Sequence, residues 1–236
     1  MTPLEPAPRE PFFDYSDLFL AIGLAFACVV VSAMLIRLVG RFAQLSTSVQ
    51  LLLLQCVLYF LAFASVAALF RIRYQRPLWR SLGWRSIPVN TSLAAIVAGP
   101  LLVLSLGLVG AALRTPEINT PFDQMLNSSV TVALLGILAV VLGPIAEELA
   151  FRGFLMPLLI RSVGAAAGIV VTGIVFGSLH GYEYQWRWQY ILLISLVGCV
   201  LGWAKYRTKS TLTSALMHCT FNLTQFVALV WRAKSL

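Results

Sequence analysis

Charge is scarce in this 236-residue sequence: Asp, Glu, Lys and Arg together make up 11% of it, against 59% hydrophobic residues. A soluble domain usually carries about a quarter charged residues, so a water-soluble globular protein is excluded. The mean hydropathy of +0.87 points instead to a polytopic membrane protein. Acidic residues are scarcer than basic ones, 9 against 17, which gives a net charge of +8 and a pI near 9.7. The basic residues sit in short segments between apolar runs, with no helix-turn-helix or aromatic-stacking context. That excludes a nucleic-acid partner and reads as a topology signal for a chain embedded in a lipid bilayer. The 4 cysteines, Cys28, Cys56, Cys199 and Cys219, show no CxxC spacing and lie mostly within apolar runs. They exclude a disulfide framework and are expected to be small, reduced core residues. Also missing are an HExxH pair, the helical signature of zinc proteases, and any internal repeat or low-complexity tract.

What the sequence does have is a series of apolar runs. Residues 1–16 form a polar, Pro-rich segment without the basic-then-apolar order of a signal peptide, so the first run is expected to stay as an anchor. Leu18 to Val39, Val49 to Phe70 and Thr91 to Leu113 each have about the 20 residues that a helix needs to cross a bilayer. Ser129 to Ile160 is longer, about 32 residues or roughly 48 Å of helix, and needs a tilt, a kink at Pro144 or a break there. Val163 to Leu179, Tyr190 to Ala204 and Leu212 to Val230 complete the set. The predicted fold is an all-α polytopic transmembrane helical bundle of about seven membrane helices, or eight if the long run splits at Pro144. It forms a single integral membrane domain over residues 1–236.

Between the second and third runs, Arg71 to Pro88 holds Arg71, Arg73, Arg76, Arg80 and Arg85 with Trp79 and Trp84 and no acid. This is either an interfacial helix in the headgroup layer or a plain positive-inside loop. The second basic link, with Lys205, Arg207 and Lys209, should share its cytoplasmic side, and seven spans with the N-terminus inside satisfy that rule.

Gly143 to Gly153 reads GPIAEELAFRG and sets two glutamates and an arginine inside apolar sequence. A charge at membrane depth costs roughly 2.5–3.5 kcal/mol on insertion scales, so such groups face a protein interior or a wet cavity and serve a function. Glu147 and Glu148 are adjacent and point about 100° apart on a helix. Glu148 and Arg152 are four apart with the acid N-terminal, the favourable order for an ion pair. Arg152 is therefore expected to neutralise Glu148 and leave Glu147 free to act.

The 2 histidines, His180 and His218, both fall in or at the end of membrane helices. A lone helical histidine is more often a hydrogen-bonded core residue than a catalyst, but His218 and Asn222 are four apart and share a face. Together these groups suit hydrolysis: a carboxylate with a histidine deprotonates water, and a histidine with an asparagine stabilises an oxyanion. Ser178 points about 200° away from His180 and Cys219 about 100° away from His218, so neither is expected to be a nucleophile. Counted from the run ends, Glu147 and His218 fall toward one side of the membrane and His180 toward the other. The helix carrying His180 is therefore expected to start deeper or to tilt.

EExxxR (Glu147, Glu148, Arg152), FxxxH (Phe176, His180) and HxxxN (His218, Asn222), in that order, resemble the motifs of the CAAX prenyl endopeptidase and bacteriocin-processing family of intramembrane proteases, the CPBP or Abi family. The resemblance covers about Gly143 to Asn222 and implies a catalytic helical core at 129–230. It implies that Glu147 and His180 activate water, His218 and Asn222 form the oxyanion site, and Glu148 and Arg152 support the first motif. It also implies an intramembrane endopeptidase acting on a membrane-bound protein or peptide, lipidated or not, in the bacterial inner (cytoplasmic) membrane. No cofactor is expected, the alternative being zinc at Glu147, His180 and His218. The competing readings are an ion- or proton-coupled transporter and a non-catalytic immunity or scaffold protein. Nothing in the sequence sets the oligomeric state.

Overall fold

The structure, a computed structural model, describes residues 11–118, 120–126 and 128–234; the first ten residues of the polar N-terminal segment lie outside them. It is all-helical among the described residues. The elements are α1 (Tyr15–Ala43), α2 (Thr47–Tyr74), the short α3 (Leu78–Ser81), α4 (Val89–Ala112), α5 (Ser129–Val163), α6 (Ala165–Leu179), α7 (Trp188–Thr208) and α8 (Thr211–Lys234).

Five of these, α1, α2, α4, α5 and α7, are long and apolar enough to cross a membrane. The expected seven included α6 and α8, which do not qualify, each for its own physical reason. α6 has 15 residues, about 22 Å of helix, short of a hydrocarbon core of about 30 Å. α8 has 24 residues, but Thr211, Thr213, Ser214, His218, Thr220 and Asn222 make it too polar. Both carry candidate site residues.

α5 is one continuous element of 35 residues, so the chain does not break at Pro144. The irregularity takes another form. Two π-helical turns, Leu138–Leu142 and Leu149–Leu155, flank the Gly143–Glu148 turn that holds both glutamates. Such turns rotate the side chains that follow them and occur often at functional sites.

Small residues let the helices approach. On α6, a Cβ at Gly173 would fall 2.8 Å from the Ser195 carbonyl oxygen of α7, and one at Gly177 would fall 2.6 Å from that of Ile191. α4 crosses α8 at Gly99, where a Cβ would lie 2.6 Å from the Met217 carbonyl oxygen. Close backbone approach of this kind drives helix association where water supplies no hydrophobic force.

The basic segment after α2 is neither a free loop nor a long interfacial helix. α3 is a single turn whose Leu78, with the following Leu82, is buried in a cluster with Phe13, Phe70, Leu149, Phe154 and Leu158. Trp79 and Trp84 meet edge to face at 5.1 Å. The chain just before α1 enters the same cluster: Phe13 is 4.9 Å from Phe154 and 5.6 Å from Phe70, ring to ring. Asp14 caps α1 by accepting from the Ser16 amide at 2.8 Å. The two basic links meet at this end of the bundle. The Thr211 amide donates to the Gly83 carbonyl at 2.9 Å and the Ser210 hydroxyl to that of Arg85 at 2.5 Å.

These contacts set the height of the site. Leu82 rests on Gly153, where a Cβ would lie 2.8 Å from its carbonyl oxygen, and Leu82 also accepts from the Thr211 hydroxyl at 2.7 Å. α8 therefore starts deep, level with Gly153. Glu147 lies six residues back from Gly153 and His218 seven on from Thr211, about 9 and 10 Å. α6 turns back against the end of α5 so closely that a Cβ at Gly168 would fall 2.8 Å from the Ile160 nitrogen. From that contact His180 is about 18 Å along α6 and Glu147 about 20 Å back along α5. The three groups lie at one depth because α6 is short and α8 begins inside the bundle.

Candidate active site

Arg152 and Glu148 are both fully buried, and Arg152 Nη1 donates to Glu148 Oε1 at 2.8 Å, the pair that the i,i+4 spacing predicts. Arg152 Nη2 donates to the Gly198 carbonyl of α7 at 2.9 Å, and the guanidinium lies 4.6 Å from the Phe176 ring centre. One cation thus joins α5, α6 and α7. Leaving either charge alone at this depth would be far costlier than the pair.

Glu148 has a second task that its spacing does not announce. The His218 Nδ1–H donates to Glu148 Oε1 at 3.0 Å, while His218 Nε2 lies 3.8 Å from Glu147 Oε2, beyond hydrogen-bond reach. Arg152, Glu148 and His218 therefore form a chain in which the carboxylate fixes the ring so that Nε2 faces Glu147. This is the orienting role that a buried carboxylate plays toward a working imidazole. Glu147 keeps 28% of its side-chain surface exposed and opens onto the cavity.

His180 is fixed in the same fashion from a different source. Its Nδ1 lies 2.8 Å from the Phe176 carbonyl, which can only accept, so Nδ1 carries the hydrogen and Nε2 of the neutral ring is left as an acceptor. The Phe176 ring lies 4.7 Å from the His180 ring and 5.8 Å from that of His218, spacing the two imidazoles. Phe176, the first residue of FxxxH, is thus a wall of the site. Ser178 is exposed on the outer face of α6, away from these groups.

Asn222 is placed by the irregularity in α5. In the Leu138–Leu142 π-turn the Gly143 amide bonds the Leu138 carbonyl, and Pro144 has no N–H, so the Ala139 carbonyl loses both its helical donors. Asn222 Nδ2 supplies the missing bond at 2.7 Å. This accounts for Pro144 in terms other than a kink: it frees a carbonyl that laces α8 to α5. The second hydrogen of the Asn222 amide remains for the cavity.

Glu147, His180, His218 and Asn222 all line one cavity of about 830 Å3. Thr115, Ile118, Thr120 and the turn that holds Glu183 and Tyr184 line it at the end of the bundle opposite the basic links. The rest of the wall is largely apolar, from Leu51, Leu52, Val103, Leu106, Leu135 and Phe226.

Tyr59 and Glu183 are among the further polar groups that line the cavity. Tyr59 of α2 accepts from Gln55 Nε2 at 2.8 Å, and a Cβ on Gly143 would fall 3.6 Å from its hydroxyl and 3.9 Å from Glu147 Oε1. Glu183 lies in the turn after His180, where burial pushes its carboxyl above the usual range against the pull of His180. An acid three residues past FxxxH was visible in the sequence but reads as part of a solvated loop; Tyr59 belongs to no pattern. Among the described residues no three His, Cys, Asp or Glu side chains converge as a metal-ligating group. Cys28, Cys56, Cys199 and Cys219 are free, with Cys28 buried.

No curated protein and no solved structure matches the chain. Residues 129–224, which carry all three motifs, match the family described as Rce1-like type II CAAX prenyl endopeptidases, a match that supports a membrane endopeptidase in general.

Proposed function

We propose that the protein is an intramembrane endopeptidase that hydrolyses a peptide bond of a membrane-associated protein or peptide with a water activated by Glu147 and His180. The observation that carries this reading is the convergence of Glu147, His180, His218 and Asn222, from three helices, on one cavity in front of the buried Glu148–Arg152 pair. Water held between the Glu147 carboxylate and His180 Nε2 attacks the scissile carbonyl and gives its proton to Glu147. The oxyanion accepts from the Nε2–H of His218, in the imidazolium form whose Nδ1–H is held by Glu148, and from the second amide hydrogen of Asn222. As the C–N bond breaks, Glu147 returns its proton to the leaving amine, and the free carboxyl end and amine end depart.

The cavity is within the range of about 300–1,000 Å3 usual for ligand sites, and its apolar wall with few polar groups suits a short extended stretch of a membrane-embedded chain. Cells carrying Glu147→Gln in place of the wild type should lose a defined set of new protein termini from their membrane proteome. An unchanged set of termini overturns the reading. Polar groups in a bundle also suit a proton relay, but the motif match supports a protease.

In this mechanism no metal takes part. Cleavage by the purified protein should survive dialysis against a strong chelator with its rate within about twofold, since a catalytic zinc with three protein ligands would be stripped or exchanged under such treatment. Loss of activity that added zinc restores would favour the Glu147, His180, His218 zinc set instead.

A further inference from the structure

A second cavity, of about 580 Å3, lies at the end of the bundle where the basic links meet, and its lining shares no residue with the first. Arg76, Arg80, Arg85, Arg161, Lys205 and Lys209 line it together, and among the described residues no acidic residue does. Among the described residues none of these six forms a salt bridge. The described carboxylates of this end are committed elsewhere. Asp17 is held by Arg73 at 3.4 Å and by the Tyr74 hydroxyl at 2.6 Å, and Asp14 caps α1. Arg76 lies 4.3 Å over the Phe12 ring, and Arg161 donates to the Pro11 and Phe13 carbonyls at 3.0 and 3.2 Å. These contacts orient the two guanidiniums without neutralising them.

Six like charges around one concavity repel each other, and the group that relieves them is an anion. A positive-inside bias needs basic residues near the membrane surface, spread over the loops; it does not need them to converge from α3, α5, α7 and their links on a single hollow. The hollow also has apolar surroundings. Pro157 and Ile160 of α5 form one wall, and Trp79, Val163 and Trp203, sequence neighbours of its cations, are exposed on the surface at 45%, 53% and 56%.

We propose that this cavity binds the phosphate headgroup of an acidic phospholipid drawn from the surrounding leaflet. Arg80 and Arg85 take the phosphate oxygens through paired N–H donors, the recognition for which a guanidinium is suited and an ammonium is not. Lys205 and Lys209 supply charge, and the acyl chains run out along the apolar rim.

The test uses the full chain in neutral detergent, with short-chain phosphatidylglycerol, phosphatidylcholine and inorganic phosphate as probes, read by native mass spectrometry and by protection against thermal unfolding. Phosphatidylglycerol should bind saturably and phosphatidylcholine should not. Arg80→Gln with Arg85→Gln should weaken phosphatidylglycerol binding roughly tenfold or more, as expected for lost charge-assisted hydrogen bonds. Arg71→Gln with Arg207→Gln, which removes two cations of the same end outside the cavity, should weaken it by less than about twofold. Lys209→Gln is the second variant, with a smaller loss in the same direction, should the arginine pair disturb folding. Equal losses in the cavity and control pairs would reduce the effect to surface charge and overturn the site. Inorganic phosphate that displaces the lipid at comparable concentration would make the ligand a soluble anion and overturn the lipid assignment.

Discussion

Purified Glu147→Ala protein should cleave a membrane-presented substrate about 10²- to 10⁴-fold more slowly than the wild type, the usual share of a positioned general base. His218→Ala should fall by about 10²- to 10³-fold, the loss typical of one oxyanion donor. The two losses should be separable from folding. Glu147 is partly exposed in the cavity and, among the described residues, forms no hydrogen bond with another side chain, so its removal leaves the helix packing intact. His218 is nearly buried, and its removal frees a Glu148 that Arg152 still neutralises at 2.8 Å. Both variants should therefore unfold within a few degrees of the wild type while losing activity. The mechanism also predicts strong non-additivity: the double variant should be little slower than Glu147→Ala alone, because groups that act on one transition state are not independent. Retained proteolysis in both single variants would sink the mechanism.

Much of the site could be read from spacing because its parts are local. An acid and an arginine four residues apart on a helix meet wherever the helix lies, and Glu148 and Arg152 do. His218 and Asn222, four apart on α8, line the same cavity for the same reason. What spacing could not give were the features that depend on helix depth and backbone irregularity. The starting height of α8 is set by the Thr211 contacts with Leu82 and Gly83, more than 120 residues away, and the height of His180 by the close approach at Gly168. Without them the run ends alone place the two histidines toward opposite sides of the membrane. Pro144 was legible as a disturbance of a long helix, but its consequence was not. A π-turn leaves the helix continuous and changes which carbonyl is orphaned, and the bond from Asn222 to Ala139 follows from that. The count of candidate spans is five where the apolar runs predict seven, for a related reason: an apolar run packed inside a bundle need not reach both surfaces, and a helix that carries the chemistry need not be apolar.

Arg152→Ala should be the most destabilising single change at the site, lowering stability by about 3–5 kcal/mol, because it leaves a buried carboxylate without its partner. The loss is expected to exceed that of a surface pair, typically under about 1 kcal/mol, since both side chains are fully buried. It also removes the bond to the Gly198 carbonyl and the stacking on Phe176, the links by which α5 holds α7 and α6. Thermal unfolding in detergent, followed by tryptophan fluorescence, measures the effect. The double variant Glu148→Leu with Arg152→Met separates the charge from the contacts. Removing both charges should recover a large part of the lost stability, since replacing a buried ion pair by apolar side chains is often close to neutral. Activity should not return with the fold, because Glu148 is what holds His218 Nδ1 at 3.0 Å and turns Nε2 toward Glu147. A double variant both stable and active would show that the pair only fills space. One that is stable and inactive would assign Glu148 the positioning of His218, and Arg152 the placement of the Glu148 carboxylate.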